Sequence, residues 1–207
     1  MSTRTTASRK VAKGEYIETD SGNKVSRRAN ISGTANITLG GKTVIMADVH
    51  LRGDLTRTSS SSSKPGADGK PSTSISIGRC TVVSTGTVVK PPMRMSRGVF
   101  TFYPLKIGDN VFIGPNCHIQ AASISSHVHI GAHAVLQPFV MVRENVKILP
   151  HSVVPAGMII PPNSVVAGRP ARIVGEVGEG WGVVVPGGGG EGWVEGGDLR
   201  ELVRSIR

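Results

Sequence analysis

From Ile124 onward, aliphatic residues recur every six positions: Ile124, Ile130, Leu136, Val142, Ile148, Val154, Ile160 and Val166. Only 38% of the chain is hydrophobic, so eight consecutive matches at one spacing are a signal rather than an accident of composition. Two positions before most of these residues stands a second residue, often small: Val128, Ala134, Val140, Val146, Ser152, Met158 and Ser164. The same spacing recurs upstream at Leu39, Ile45 and Leu51, at Ile77, Val83 and Val89, and at Ile107, Ile113 and Ile119. Glycine follows several of the aliphatic positions, as in Ile77-Gly78, Ile107-Gly108, Ile113-Gly114 and Ile130-Gly131.

A six-residue period fits neither an amphipathic helix, which needs steps of three and four, nor a simple alternating strand. It fits one short strand and one corner per step, with three steps closing a coil of about 18 residues. The aliphatic residue and the one two positions earlier then point inward together, because side chains alternate along a strand. The predicted fold is all-β, a left-handed parallel β-helix of stacked triangular coils spanning 14–174.

The period breaks in three places. The stretch 57–76 holds five consecutive serines followed by Lys64-Pro65-Gly66 and reads as an inserted loop. The stretch 91–104 keeps the phase but holds Pro91, Pro92, Phe100, Phe102 and Tyr103, and reads as a protruding loop. From Ile119 to Ile124 one residue is missing at a corner. Beyond the coils, 175–197 is a glycine-rich linker for which little order is expected. Residues 198–207 predict a C-terminal helix whose stripe of Leu199, Leu202, Val203 and Ile206 docks on the prism, with Asp198 and Glu201 as a capping-box-like pair. Residues 1–13 read as a disordered basic tail, since Ala7, Val11 and Ala12 are too few for a presequence's apolar face.

Composition narrows the chemistry. Aromatics make up 4% of the 207 residues, so the core is aliphatic. Cys80 and Cys117 form no CxxC pair and read as buried thiols of a reducing compartment. No apolar run approaches the length of a bilayer span. The net charge of +10 lies mainly in the first half, and 29–106 carries ten Lys/Arg against three Asp/Glu. Without interleaved stacking aromatics this basic surface does not point to nucleic acid, and an acidic protein partner suits it better.

The repeats, together with Arg52-Gly53-Asp54, resemble the γ-class carbonic anhydrase branch of hexapeptide proteins. That resemblance implies three metal-binding histidines. The matching segments are IGRCTVVSTGTVVK at 77–90 and IGPNCHIQA at 113–121, and they place Lys90, Pro115 and Gln120 at the ligand positions, with Ser84 and Thr85 in place of the family's polar pair. None of the three is a zinc ligand. Neither a catalytic residue, nor a metal site, nor a cofactor is therefore expected.

Further segments are more specific: YIETDSGNKVSR at 16–27, GKTVIM at 41–46, RGD at 52–54, VKPP at 89–92 and FYPL at 102–105. Together they resemble the dynactin subunit 5 family. The resemblance implies a non-catalytic pointed-end subunit in the cytoplasm and cytoskeleton, acting in dynein-driven transport. The partners it implies are dynactin subunit 6, actin-related protein 11, dynactin subunit 4 and cargo adaptors. Met93, Arg94, Phe100, Phe102 and Tyr103 are the candidate partner-binding residues. Arg52 with Asp54 reads as a structural ion pair at a corner. His118, His127, His129 and His133 share no spacing that would fix one site, although one of them as a base, with the AGRPAR segment at 167–172, keeps an acetyl-CoA-dependent acyltransferase as the alternative.

Overall fold

Each six-residue step builds one strand of two or three residues and one corner, and successive steps turn the chain around a triangular prism. In this computed structural model residues 14–56, 73–96, 98–178, 181 and 197–206 are described. The fold is a left-handed parallel β-helix of six coils, matching the six strands on each of two faces.

The first face carries Lys24–Ser26, Val44–Ile45, Val82–Val83, Phe112–Ile113, His129–Ile130, Lys147–Ile148 and Ser164–Gly168 in parallel. The second carries Asn30–Ser32, His50–Arg52, Val88–Val89, His118–Ile119, Val135–Leu136 and Val153–Val154. The third carries Ile37–Leu39, Ile75–Ile77, Leu105–Ile107, Ser123–Ile124, Met141–Val142 and Ile159–Ile160. Antiparallel strands flank the first face at both ends, Tyr16–Glu18 against Lys24–Ser26 and Ala171–Glu176 against Ser164–Gly168.

Register puts aliphatic on aliphatic. Ile77, Ile107, Ile124, Val142 and Ile160 lie directly above one another, as do Ile113, Ile130, Ile148 and Val166. All eight residues of the initial six-step series are buried. The inward residue two positions earlier has a second task where it is polar. The hydroxyls of Thr43, Thr81 and Thr87 donate to the carbonyls of Gly78, Gly108 and Gly114 one coil on, at 2.8–2.9 Å. The thiol of Cys117 does the same to Gly131, at 3.2 Å. Polar atoms inside the prism are thus satisfied by the corner of the neighbouring coil.

Corners demand a left-handed backbone. Asn110, Asn116, Asn145 and Asn163 adopt it, and so do His127, His133, His151 and Phe139, with φ between 53° and 64°. Gly33 has φ 67°, and a Cβ there would sit 2.3 Å from the amide nitrogen of Asp54, so no other residue fits.

Several expectations shift in detail. The segment 91–104 is an ordered antiparallel hairpin, Met93–Ser96 with Val99–Phe102, rather than a loop. Pro91 and Pro92 lead the chain out of the prism, and the amide of Tyr103 donates to the Pro92 carbonyl (2.9 Å) to close its base. The insert read at 57–76 ends sooner, because Ile75 already begins a strand, while 57–72 fall outside the described residues. The tail 1–13 and most of the linker also fall outside them. The helix runs over Arg200–Ser205 only. Asp198 accepts from the Arg200 amide (3.0 Å), and Glu201 pairs with Arg204 instead of reaching back to a cap. Leu199 and Val203 pack on Val44 and Val82, on the outer side of the first face.

Candidate functional site

One edge of the prism, where the second face turns into the third, carries the three breaks in the six-residue period. In the second coil residues 57–72 fall between the strands His50–Arg52 and Ile75–Ile77 that flank it, in the third the hairpin leaves from it, and the fourth coil is one residue short there, at Gln120-Ala121-Ala122. The hairpin register pairs Met93 with Phe102 and Met95 with Phe100. Directly opposed residues share a face, and so do residues two apart. One side of the hairpin is therefore wholly apolar, and Met95 and Phe100 are 63% and 52% exposed. A compact protein rarely displays such a ribbon without a use for it.

Arg94 and Tyr103 lie on the other side. Tyr103 packs edge-on against Phe139 with ring centroids 5.4 Å apart. Phe139 belongs to the fifth coil, so the contact reaches past the shortened corner of the fourth, where Ala121 and Ala122 leave room. With Arg94 these rings line an open recess of about 530 Å³. Of the five residues expected from sequence, Met93, Phe100 and Phe102 thus share the apolar ribbon and Arg94 and Tyr103 share the recess. Met95 was missed, although its alternation with Met93 across from Phe100 and Phe102 is the period-two signal of a hairpin.

The residues with chemical potential do not converge. Lys90 and Gln120 stack on adjacent coils at the same edge, since the Lys90 amide donates to the Ile119 carbonyl (3.0 Å), while Pro115 stands at the opposite edge of that face. His118 lies on the second face and His129 on the first, stacked on Phe112 at 4.9 Å. His127 and His133 occupy two different corners, the latter stacked on His151 at 4.9 Å. Among the described residues no group of three His, Cys, Asp or Glu side chains comes together to hold a metal ion. Arg52 holds Asp54 through two hydrogen bonds of 2.8 Å, and that contact sets the Asp54 carboxyl below its ordinary range. Both side chains are exposed at a corner, the geometry of a surface ion pair.

Burial pushes the Cys117 thiol up to about 11. It stays protonated at neutral pH and cannot serve as a nucleophile. Alkylation of the folded protein at pH 7–8 is expected to leave Cys117 unmodified until denaturant is added, as mass mapping will read. Cys117→Thr is expected to retain stability, because threonine makes the same bond elsewhere in the prism. Rapid labelling of native Cys117 would contradict the first expectation, and a fall in the melting temperature of Cys117→Thr the second.

Comparison with known proteins decides the family. The family model described as dynactin subunit 5 matches residues 7–63 and 69–184. The chain belongs to the dynactin subunit 5 family. Dynactin subunit 5 of Dictyostelium discoideum is 40% identical over 114 residues, covering 55% of this chain and 49% of that protein. A galactoside O-acetyltransferase of Escherichia coli is 34% identical over 98 residues, covering 36% and 45%. The chain thus spans about half the length of these curated relatives. Among solved structures, a hexapeptide transferase family protein from Anaplasma phagocytophilum superposes with a TM-score of 0.55 at 20% identity, covering 88% and 87% of the two chains. The acetyltransferase domain of PglB from Neisseria gonorrhoeae gives 0.53 at 18% identity, covering 73% and 57%. At such identities the dynactin subunit 5 family and these transferases share the β-helix; the likeness extends to the fold alone. Among the described residues no helix is long and apolar enough to cross a membrane.

Proposed function

We propose that this member of the dynactin subunit 5 family is a non-catalytic structural subunit of the dynactin pointed-end complex, in the cytoplasm and on the cytoskeleton. There it supports dynein-driven transport along microtubules and the attachment of cargo adaptors. The observation that carries the reading is the family match over most of the prism. The dispersal of the histidines and the Lys90, Pro115 and Gln120 substitutions argue against hydration chemistry, which needs three ligands around one metal. The partners are dynactin subunit 6, actin-related protein 11 and dynactin subunit 4, with cargo adaptors beyond them.

The test is affinity purification of the tagged chain from native extract, read by mass spectrometry. Stoichiometric recovery of these three subunits is expected, and their absence would refute the assignment. Titration with acetyl-CoA is expected to give no saturable heat, whereas binding would revive the acyltransferase.

The hairpin ribbon is the proposed partner contact. Met95→Asp with Phe100→Asp is expected to change the thermal midpoint little, since both side chains are more than half exposed. The same pair should lower recovery of partner subunits by more than tenfold, the loss of one or more hot-spot contacts. Full recovery with both charges in place would remove the hairpin from the interface.

A further inference from the structure

At the edge where the third face turns into the first, successive corners stack through backbone hydrogen bonds. The Cys80 amide donates to the Gly41 carbonyl (3.1 Å) and the Asn110 amide to the Arg79 carbonyl (2.9 Å). The left-handed position of this ladder is taken in turn by Lys42, Cys80, Asn110, His127, Asn145 and Asn163, with φ between 53° and 59°. Asparagine suits that backbone and lysine does not, so Lys42 holds its corner at a conformational cost. Lys42 lines an open cleft of about 270 Å³ together with Arg79 of the next corner, Arg200 of the docked C-terminal helix, Ser21, Asp109 and Asn110. Three cations from three separate stretches of chain thus meet beside one carboxylate.

Charge in the cleft is not balanced. Asp109 is held by the ladder: one oxygen accepts from the Arg79 amide (2.7 Å) and the other lies 3.7 Å from the Arg79 guanidinium. Arg200 meets Asp198 through Nε at 3.1 Å. Lys42 has no carboxylate partner among the described residues. Even with Asp198 counted, three positive charges face two negative ones. A guanidinium carries five N–H donors, so both arginines keep donors for a further acceptor. We infer that this cleft binds a phosphate group, as inorganic phosphate or as a small phosphate monoester. Two guanidinium forks and an ammonium around one point suit a tetrahedral oxyanion better than a carboxylate, whose two oxygens lie in one plane. The volume is below the about 300–1,000 Å³ of sites for drug-sized ligands. No aromatic ring among the described residues lines it, so a nucleotide finds no place to stack its base. An anion there bridges Lys42 and Arg79 of the prism to Arg200 of the helix, and so ties the helix to the first face.

The site is tested on the isolated full chain, independently of entry into dynactin. Inorganic phosphate and glycerol phosphate are titrated separately at constant ionic strength in chloride, followed by the amide resonances of Lys42, Cys80 and Asn110. Saturation at one anion per chain is expected. Lys42→Gln with Arg79→Gln is expected to weaken it at least about tenfold, through the loss of charge-assisted hydrogen bonds. Lys106→Gln with Arg143→Gln removes the same charge from exposed positions elsewhere and is expected to leave binding within about twofold. Phosphate at about ten times its dissociation constant is expected to slow exchange of the Val203 and Ile206 amides by up to about tenfold, because release of the helix takes Arg200 from the site.

Sedimentation with phosphatidylcholine vesicles, with and without phosphatidic acid, separates the sources of the phosphate. Retention on the acidic vesicles that Lys42→Gln with Arg79→Gln abolishes assigns a lipid headgroup. Saturable binding of the soluble probes without retention assigns a free phosphate or monoester. No saturation by either soluble probe would overturn the site, and so would equal weakening by the two double variants. Unchanged exchange of the helix amides at saturating phosphate would overturn the bridge to Arg200, a result read on the wild type and so independent of how the variants fold.

Discussion

Ile119→Ala is expected to destabilise the protein by about 2–5 kcal/mol, the range for emptying a fully buried aliphatic site. His118→Ala, one residue earlier on the same strand, is expected to stay within about 0.5 kcal/mol, as exposed substitutions do. The contrast follows from register. Ile119 lies inside the prism between Val89 of the coil before and Leu136 of the coil after. The parallel ladders hold the coils about 4.8 Å apart, so the neighbours cannot collapse into the space left behind. His118 points away from the core and is exposed. Denaturant unfolding of both variants will read the difference as a shift in midpoint at constant slope. Equal losses would mean that this strand is out of the register its sequence implies.

That register was legible because the core repeats itself. The chain reuses one position of a six-residue unit for the inward aliphatic residue, so the phase survives even where 91–104 interrupts it. The phase alone does not say what an interruption becomes. The hairpin went unread because Pro91 and Pro92 suggested irregular chain, and because the alternation of Met93, Met95, Phe100 and Phe102 covers only two strands of four residues. The return strand Ala171–Glu176 was equally hidden. Ile173, Val174 and Gly175 follow no six-residue pattern, since that strand closes the end of the stack instead of adding a coil. Corner chemistry was only half visible. Asparagine and glycine announce a left-handed backbone, but His127, His133 and His151 adopt it with a weaker sequence signal and Phe139 against its intrinsic preference. The stacked coils on either side impose it.

The candidate site was legible as a list of residues and not as a shape. The sequence holds Met93, Arg94, Phe100, Phe102 and Tyr103 within eleven positions, but pairing decides which of them face together. Only the strand register puts Arg94 and Tyr103 on the recess side and brings Met95 into the ribbon. The Tyr103–Phe139 contact was out of reach, because it joins residues 36 apart across a corner that a one-residue deletion had flattened. Negative evidence was easier to read. Lys90, Pro115 and Gln120 have unsuitable donor chemistry wherever they stand, so their identities alone argue against a metal centre.

Deleting 198–206, or replacing Val203 with aspartate, is expected to lower stability by about 3–6 kcal/mol as an upper value. Two side chains carry it, each worth about 1.5–3 kcal/mol when fully buried. Leu199 and Val203 are 1% and 4% exposed against Val44 and Val82, with Leu202 and Ile206 at the margin. A six-residue helix has no stability of its own, so its order must come from this contact. The prism also holds the helix end directly. The Lys24 ammonium donates to the carbonyls of Val203 (3.2 Å) and Ile206 (2.6 Å), which are among the groups a helix leaves unpaired at its C-terminus. Lys24→Met keeps the packing and removes that cap, so it is expected to cost only about 0.5–1.5 kcal/mol. The order of effects, Val203→Asp well above Lys24→Met, distinguishes a docked apolar face from an electrostatic tether. Calorimetric unfolding of the full chain and the variants reads it, together with hydrogen exchange at Val44 and Val82, whose outer side the helix covers. A chain that loses 198–206 with no fall in melting temperature and no faster exchange at those two strands would show that the helix contributes nothing to the fold.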